Sequence, residues 1–283
     1  METATATATR TVVNARWTIL LLYLAAVIVA ETLIAIPGTN PTDRPFQSIG
    51  LGIHILLVFT LMFGSVLIQP RDATMAPLLV ATSLASLVRV FSLAVPRYAF
   101  VATPETNALN TIPWLALISV PLLVSVASVA YVQRLSLKDL GLRSGTWREM
   151  SVQTAIALTG LPLGAIEFLI LHPGGWIATL ALGPLVVGAI VILLATGLSE
   201  ELIFRAILMK RAVEGLGAAG GLLFVTAIFA SLHIFFLNFV DLAFVFGVGL
   251  FYGVVVLRTK NLYGVVLSHS LGNVILYLVA PFL

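Results

Sequence analysis

Glu200 and Glu201 stand side by side in an apolar run, residues 187–208, that reads as membrane-embedded helix. A charged side chain at mid-bilayer costs at least ~2.5–3.5 kcal/mol on insertion scales, and adjacent carboxylates add mutual repulsion. The same run carries Arg205, and later apolar runs carry His233, His269 and Asn273. Polar groups kept at such a cost point to a site, and their types fit hydrolysis. A carboxylate in a low-dielectric cavity beside an imidazole can take a proton from water near neutral pH. A histidine and an amide on one helical face can donate hydrogen bonds to the oxyanion of a tetrahedral intermediate. The chemistry is peptide-bond cleavage by activated water, with no serine or cysteine nucleophile.

Spacing sorts these residues. Positions four apart share a helical face, so Glu201 with Arg205, Phe229 with His233, and His269 with Asn273 are same-face pairs. Glu200 projects about 100° away from Glu201. Arg205 can therefore neutralise Glu201 while Glu200 faces a cavity. Depth is a second test, at 1.5 Å per helical residue. Counted from Lys210, Tyr263 and Gly220 or Gly221, Glu200 lies roughly 15 Å inside, His269 and Asn273 roughly 9 and 15 Å, and His233 roughly 18–20 Å. The set converges on one layer of the bilayer.

The elements that must position them are membrane helices. With 60% hydrophobic and only 10% charged residues in 283, the chain falls outside ordinary soluble composition. Mean hydropathy is +1.10. The sequence predicts an all-α, polytopic membrane helix bundle with eight or nine spans and the active site in the carboxyl-terminal half. Nine stretches qualify: residues 17–36, 49–68, 75–95, 112–132, 152–171, 176–198, 218–237, 240–257 and 262–282. Gly183-Pro184 offers an alternative for the sixth, a short piece followed by one long helix from Pro184 to about Glu214. The organisation read from this is a disordered cytoplasmic tail over 1–16, where Thr and Ala alternate, and a four-helix membrane region over 17–132. A cytoplasmic loop over 133–150 and a protease-like domain over 151–283 follow.

Charge sets the topology. Arg10, Arg16, Arg71, Arg134, Lys138, Arg143, Arg148, the 205–211 segment, Arg258 and Lys260 fall on one side of nine spans, against Arg44 and Arg97 on the other. The positive-inside rule then puts the amino terminus in the cytoplasm and the carboxyl terminus outside. The net charge of +3 is spread through loops rather than gathered into a basic face, which argues against nucleic acid as a partner. Zero cysteines exclude disulfides, thiolate nucleophiles and Cys-ligated zinc.

The motifs Glu200-Glu201-x-x-x-Arg205, Phe229-x-x-x-His233 and His269-x-x-x-Asn273 resemble, in order and separation, those of the CPBP family of intramembrane proteases. That family includes the type II CAAX prenyl endopeptidases and the bacteriocin-processing, or Abi, proteins, and the resemblance covers roughly residues 152–283. It implies a compact helical fold in which Glu200 is the water-activating base and His233 holds the same water. His269 and Asn273 would stabilise the oxyanion, with Glu201, Arg205 and Phe229 in support. It also implies a peptide or protein substrate in the bilayer, lipidated in the CAAX case. The family is often labelled metalloprotease. A divalent metal such as zinc would draw on Glu200, His233 and His269, but the helical H-E-x-x-H spacing is absent and a metal-free mechanism is preferred.

Blander readings compete. Taken singly, His233 is a helix-packing donor and Asn273 interhelical glue; only their joint depth and order argue for a site. A proton-coupled transporter using Glu200, His233 and His269 as a relay, and a non-catalytic scaffold of the same fold, are the alternatives. Glu31, His54, Arg89, Glu167, Asp241 and His172 fit none of the motifs; Arg89 with Glu31 reads as a buried pair between the first and third helices, and Asp241 as an outer-interface residue.

Overall fold

The computed structural model describes residues 2–38, 44–95 and 109–283, with side chains from residue 14 onward. Arg97, counted above on the sparsely charged side, lies outside the described residues. Every regular element among those residues is helical, and eight stretches are long and apolar enough to cross a membrane. This is the architecture hydrocarbon demands, because a helix satisfies its own backbone groups where no water can. The protein is an integral, multi-pass membrane protein. Its chain divides into two compact units, residues 1–89 with 208–250, and residues 90–207 with 251–283.

In the first unit, α1 (Glu2–Ala35) packs on α2 (Gln47–Ile68), and α3 (Met75–Ala94) follows a short turn. α1 is helical from Glu2, so the Thr-Ala segment read as a disordered tail lies within that helix. Alanine is a strong helix former, which makes the alternating segment compatible with helix. Asp72 caps α3 by accepting from the Thr74 and Met75 amides, and Arg16 clamps it at 2.7 and 2.8 Å. Burial by itself would push the Asp72 carboxyl up. The Arg16 and backbone hydrogen bonds outweigh burial and hold it below the usual carboxylate range.

α9 (Met209–Ser231) reverses at Gly217, whose φ of 79° and ψ of 169° suit glycine. The next turn folds back so closely that a Cβ on Gly221 would lie 2.6 Å from the Val213 nitrogen. The 55-residue stretch Leu182–Phe236 is therefore more than one straight helix. After Ser231 the chain tightens into a 3₁₀ turn, Ile234–Phe236, and Leu237 turns left-handed at φ 51°. Asn238 then caps α10 (Phe239–Thr259) through the Val240 and Asp241 amides. The expected regular span through residue 237 thus ends early, and His233 sits in a turn. Asp241, expected at the interface, is fully buried, with neither carboxyl oxygen hydrogen-bonded among the described residues.

The second unit holds α4 (Thr111–Val132), α5 (Trp147–Leu158), α6 (Gly160–Leu171) and α7 (Leu182–Ile192), then the three-residue α8 (Ser199–Glu201), the end of α10, and α11 (Tyr263–Val274). α5 starts five residues before the expected span because Thr146 and Glu149 form a reciprocal capping box. The alternative for the sixth span holds. Residues 176–181 are not helical, and a long helical run starts at Leu182 with Pro184 in its first turn. The displaced Trp176 stacks on Tyr277 at 3.6 Å, ring planes within 10°, and its amide donates to the Tyr277 carbonyl. That contact joins Ile177, Ile192, Leu276 and Leu278 in an apolar cluster.

Candidate active site

Glu200 and Glu201 form most of α8, and a π-helical segment lies on each side, Leu193–Leu198 and Leu202–Leu208. A third, Ile275–Val279, begins two residues after Asn273. π-turns widen a helix and recur at functional sites. Here they replace the uniform 100° progression assumed from sequence, while the Glu201–Arg205 pairing survives: Arg205 donates to Glu201 Oε1 at 3.0 Å. The guanidinium also lies over the rings of Phe204 and Tyr252, at 5.9 and 5.7 Å.

α11 is brought against α6 and this helix by small residues. A Cβ on Gly160 would strike the Ser268 carbonyl, one on Gly164 the Gly272 carbonyl, and one on Gly197 the Ser270 hydroxyl. Glycine at these points lets the backbones approach to contact. The Gln153 side chain accepts from the Gly264 amide at 2.8 Å, fixing the start of α11. Ser268 is held by Thr159 and by Tyr252, each at 2.9 Å.

With α11 so placed, His269 and Asn273 both lean on the helix that carries Glu200. His269 Nδ1 lies 2.8 Å from Glu201 Oε1. Since a carboxylate only accepts, Nδ1 is the donor, and Nε2 is on the far edge of the ring. Asn273 Nδ2 donates to Thr196 Oγ1 at 3.0 Å, and the Thr196 hydroxyl in turn donates to the Ile192 carbonyl at 2.8 Å. The hydroxyl hydrogen is thus committed, so the amide must present nitrogen to Thr196, which uses one of its two N–H bonds. Glu201 is fully buried and Arg205 nearly so, while Glu200, His269 and Asn273 are partly exposed. Glu200 and Glu201 both act electrostatically on His269.

Phe229 and His233 belong to the first unit. His233 Nδ1 lies 3.0 Å from the Phe229 carbonyl, and the two rings are tilted at 5.1 Å. A carbonyl cannot donate, so Nδ1 carries the proton and the neutral ring keeps its lone pair on Nε2. Thr196 was missed by the sequence reading. Its signal was a polar residue four before Glu200 in an apolar run, but its partner sits 77 positions later.

Among the described residues no three of His, Cys, Asp and Glu gather into a group that could hold a metal ion.

Residues 181–275 match the family model described as Type II CAAX prenyl endopeptidase Rce1-like. The stretch contains all three motifs and is narrower than the 152–283 resemblance read from sequence. The match bears out that resemblance to the CPBP and CAAX-protease family. It supports an intramembrane endopeptidase of CAAX type in general, with a protein substrate in the membrane. The chain matches no curated protein and no solved structure.

Proposed function

We propose that the chain cleaves a peptide bond in or beside the bilayer with water activated by Glu200, in CAAX-type or peptide-precursor processing. The observation that carries this is the double bracket around Glu200. Its next residue, Glu201, holds His269, and Thr196, four residues earlier, holds Asn273. Two hydrogen-bond donors on one face of α11 are thus anchored on either side of the proposed base.

The roles follow from the protons. A water proton passes to Glu200 as the water oxygen attacks the carbonyl carbon, and the carbonyl electrons move onto oxygen. Asn273 offers its uncommitted N–H to that oxyanion. His269 does so from Nε2 when the ring is protonated, a form the Glu201 carboxylate stabilises from the other edge. Collapse breaks the C–N bond, and the Glu200 proton leaves on the amine. His233 would hold the attacking water through its Nε2 lone pair. Glu201 and Arg205 support the site without touching substrate. The mechanism needs no metal, and the substrate is a peptide or protein, lipidated in the CAAX case, rather than nucleic acid. The amino terminus is cytoplasmic, which cysteine labelling at Ser136 can check cleanly because the chain has no native cysteine.

The test is mass spectrometry of membrane peptides from cells carrying the native chain or Glu200→Gln. A new peptide terminus present only with the native chain is expected. Identical peptide profiles would refute the protease reading, and transport of a solute into vesicles without cleavage would replace it.

A further inference from the structure

The amino-terminal helices carry none of the three motifs, yet they bury a charged cluster. Glu31 on α1 is fully buried and takes a two-pronged contact from Arg89 on α3, Nε to Oε1 at 2.7 Å and Nη2 to Oε2 at 2.8 Å. The pairing expected from sequence is present, and His54 on α2 joins it, Nε2 3.1 Å from Glu31 Oε1 but not aligned for a hydrogen bond. Helix cohesion alone would be served by the fork. Arg89 does more: the same Nη2 donates to the backbone carbonyl of Leu232 at 2.7 Å.

That carbonyl belongs to the peptide group joining Leu232 to His233. Past the end of α9, carbonyls lose their helical partners. Phe236 N bonds the His233 carbonyl, so it does not take the Leu232 oxygen as a continuing α-helix would. Arg89 takes it. On the opposite edge of the same peptide plane, His233 N donates to the Ala230 carbonyl at 2.8 Å. The plane is fixed on both edges, and Nδ1 on the Phe229 carbonyl fixes the ring. Arg89 also lies 5.8 Å over the ring of Phe235, which bears on the same turn from beyond His233.

We propose that Arg89, oriented by Glu31, is a positioning residue that fixes the peptide group carrying His233 and thereby sets the placement of its imidazole. This gives the amino-terminal helices a part in the reaction. It rests on the role proposed above for His233.

The experiment uses the full chain in lipid nanodiscs, labelled with ¹⁵N-histidine. With four histidines in the sequence, the His233 resonance is assignable by its loss in His233→Gln. Arg89→Met is expected to move the His233 imidazole resonances and leave His172 in place, and Arg89→Lys, which keeps the charge but not the fork, to give an intermediate shift. On the peptide whose cleavage depends on Glu200, Arg89→Met is expected to lower kcat by about 10- to 100-fold, with KM within about two-fold. Asp72→Asn, which breaks another first-unit ion pair, controls for general destabilisation and is expected to leave both the resonance and kcat unchanged. If Arg89→Met does not fold, Arg89→Lys decides by the same two readouts. An unmoved His233 signal, or a rate loss equal to the loss of folded protein and matched by Asp72→Asn, overturns the proposal. If the native chain cleaves nothing, the protease reading fails, while the resonance still judges whether Arg89 positions His233.

Discussion

Each unit buries one glutamate between an arginine and a histidine, and the two clusters do opposite things with the same residue types. Around Glu31 both carboxylate oxygens are taken by Arg89, which comes from another helix and meets them as a fork. Around Glu201 a single oxygen takes both Arg205 and His269, and Oε2 has no hydrogen-bond partner among the described residues. Arg205 lies only four residues on along the same helical run and donates to Oε1. A saturated carboxylate is a cross-link. A carboxylate balanced by its own helix can spend its remaining strength on an imidazole from elsewhere. Buried ion pairs add little net stability because desolvation offsets attraction, so their orientation matters more than their number.

The largest effect should come from Glu201→Gln, which removes the negative charge that Arg205 and His269 both face. A destabilisation of about 3–5 kcal/mol is expected in thermal unfolding, and turnover should fall about 10²–10³-fold in the fraction that stays folded. Native turnover in that fraction would make Glu201 merely structural and erase the contrast. Asn273→Ala should lower kcat about 10²-fold. Thr196→Val should lower it less, and the double variant should be no worse than Asn273→Ala because Thr196 acts through the amide. Additive losses would show that Thr196 contributes separately.

Packing gives a smaller effect. Gly164→Ala drives a methyl into the Gly272 carbonyl and should cost about 1–3 kcal/mol, whereas Gly247→Ala, with open space at its Cβ, should stay within about 0.5 kcal/mol. Equal melting temperatures for the two would mean α6 and α11 are not in the close contact described. The smallest effect concerns Asp72. Its carboxyl is held below its unfolded value, so its contribution is present above that value and is lost as pH falls through the folded one. At this peripheral pair the loss should stay under about 1 kcal/mol. A melting difference between the native chain and Asp72→Asn that grows on acidification would reverse the sign.

Most of the fold was readable because hydrocarbon imposes a simple rule of some 20 apolar residues per crossing. The Leu182 start was readable from Pro184, and the Glu201–Arg205 and Arg89–Glu31 pairs from the cost of lone charges. Regular spacing misled where the helix departs from 3.6 residues per turn. The π segments around α8 and the 3₁₀ turn after His233 are departures that periodicity in one segment does not encode.

The sequence by itself determined a multi-pass helical protein and three polar motifs too costly to be incidental in lipid. Only the tertiary structure decided which nitrogen of His269 meets Glu201, that Thr196 orients Asn273, and that Arg89 grips the peptide before His233. The reason is physical: apolar patterning is a sum over one helix, whereas a hydrogen bond between helices depends on close approach at glycines and on directions fixed only when both backbones are in place.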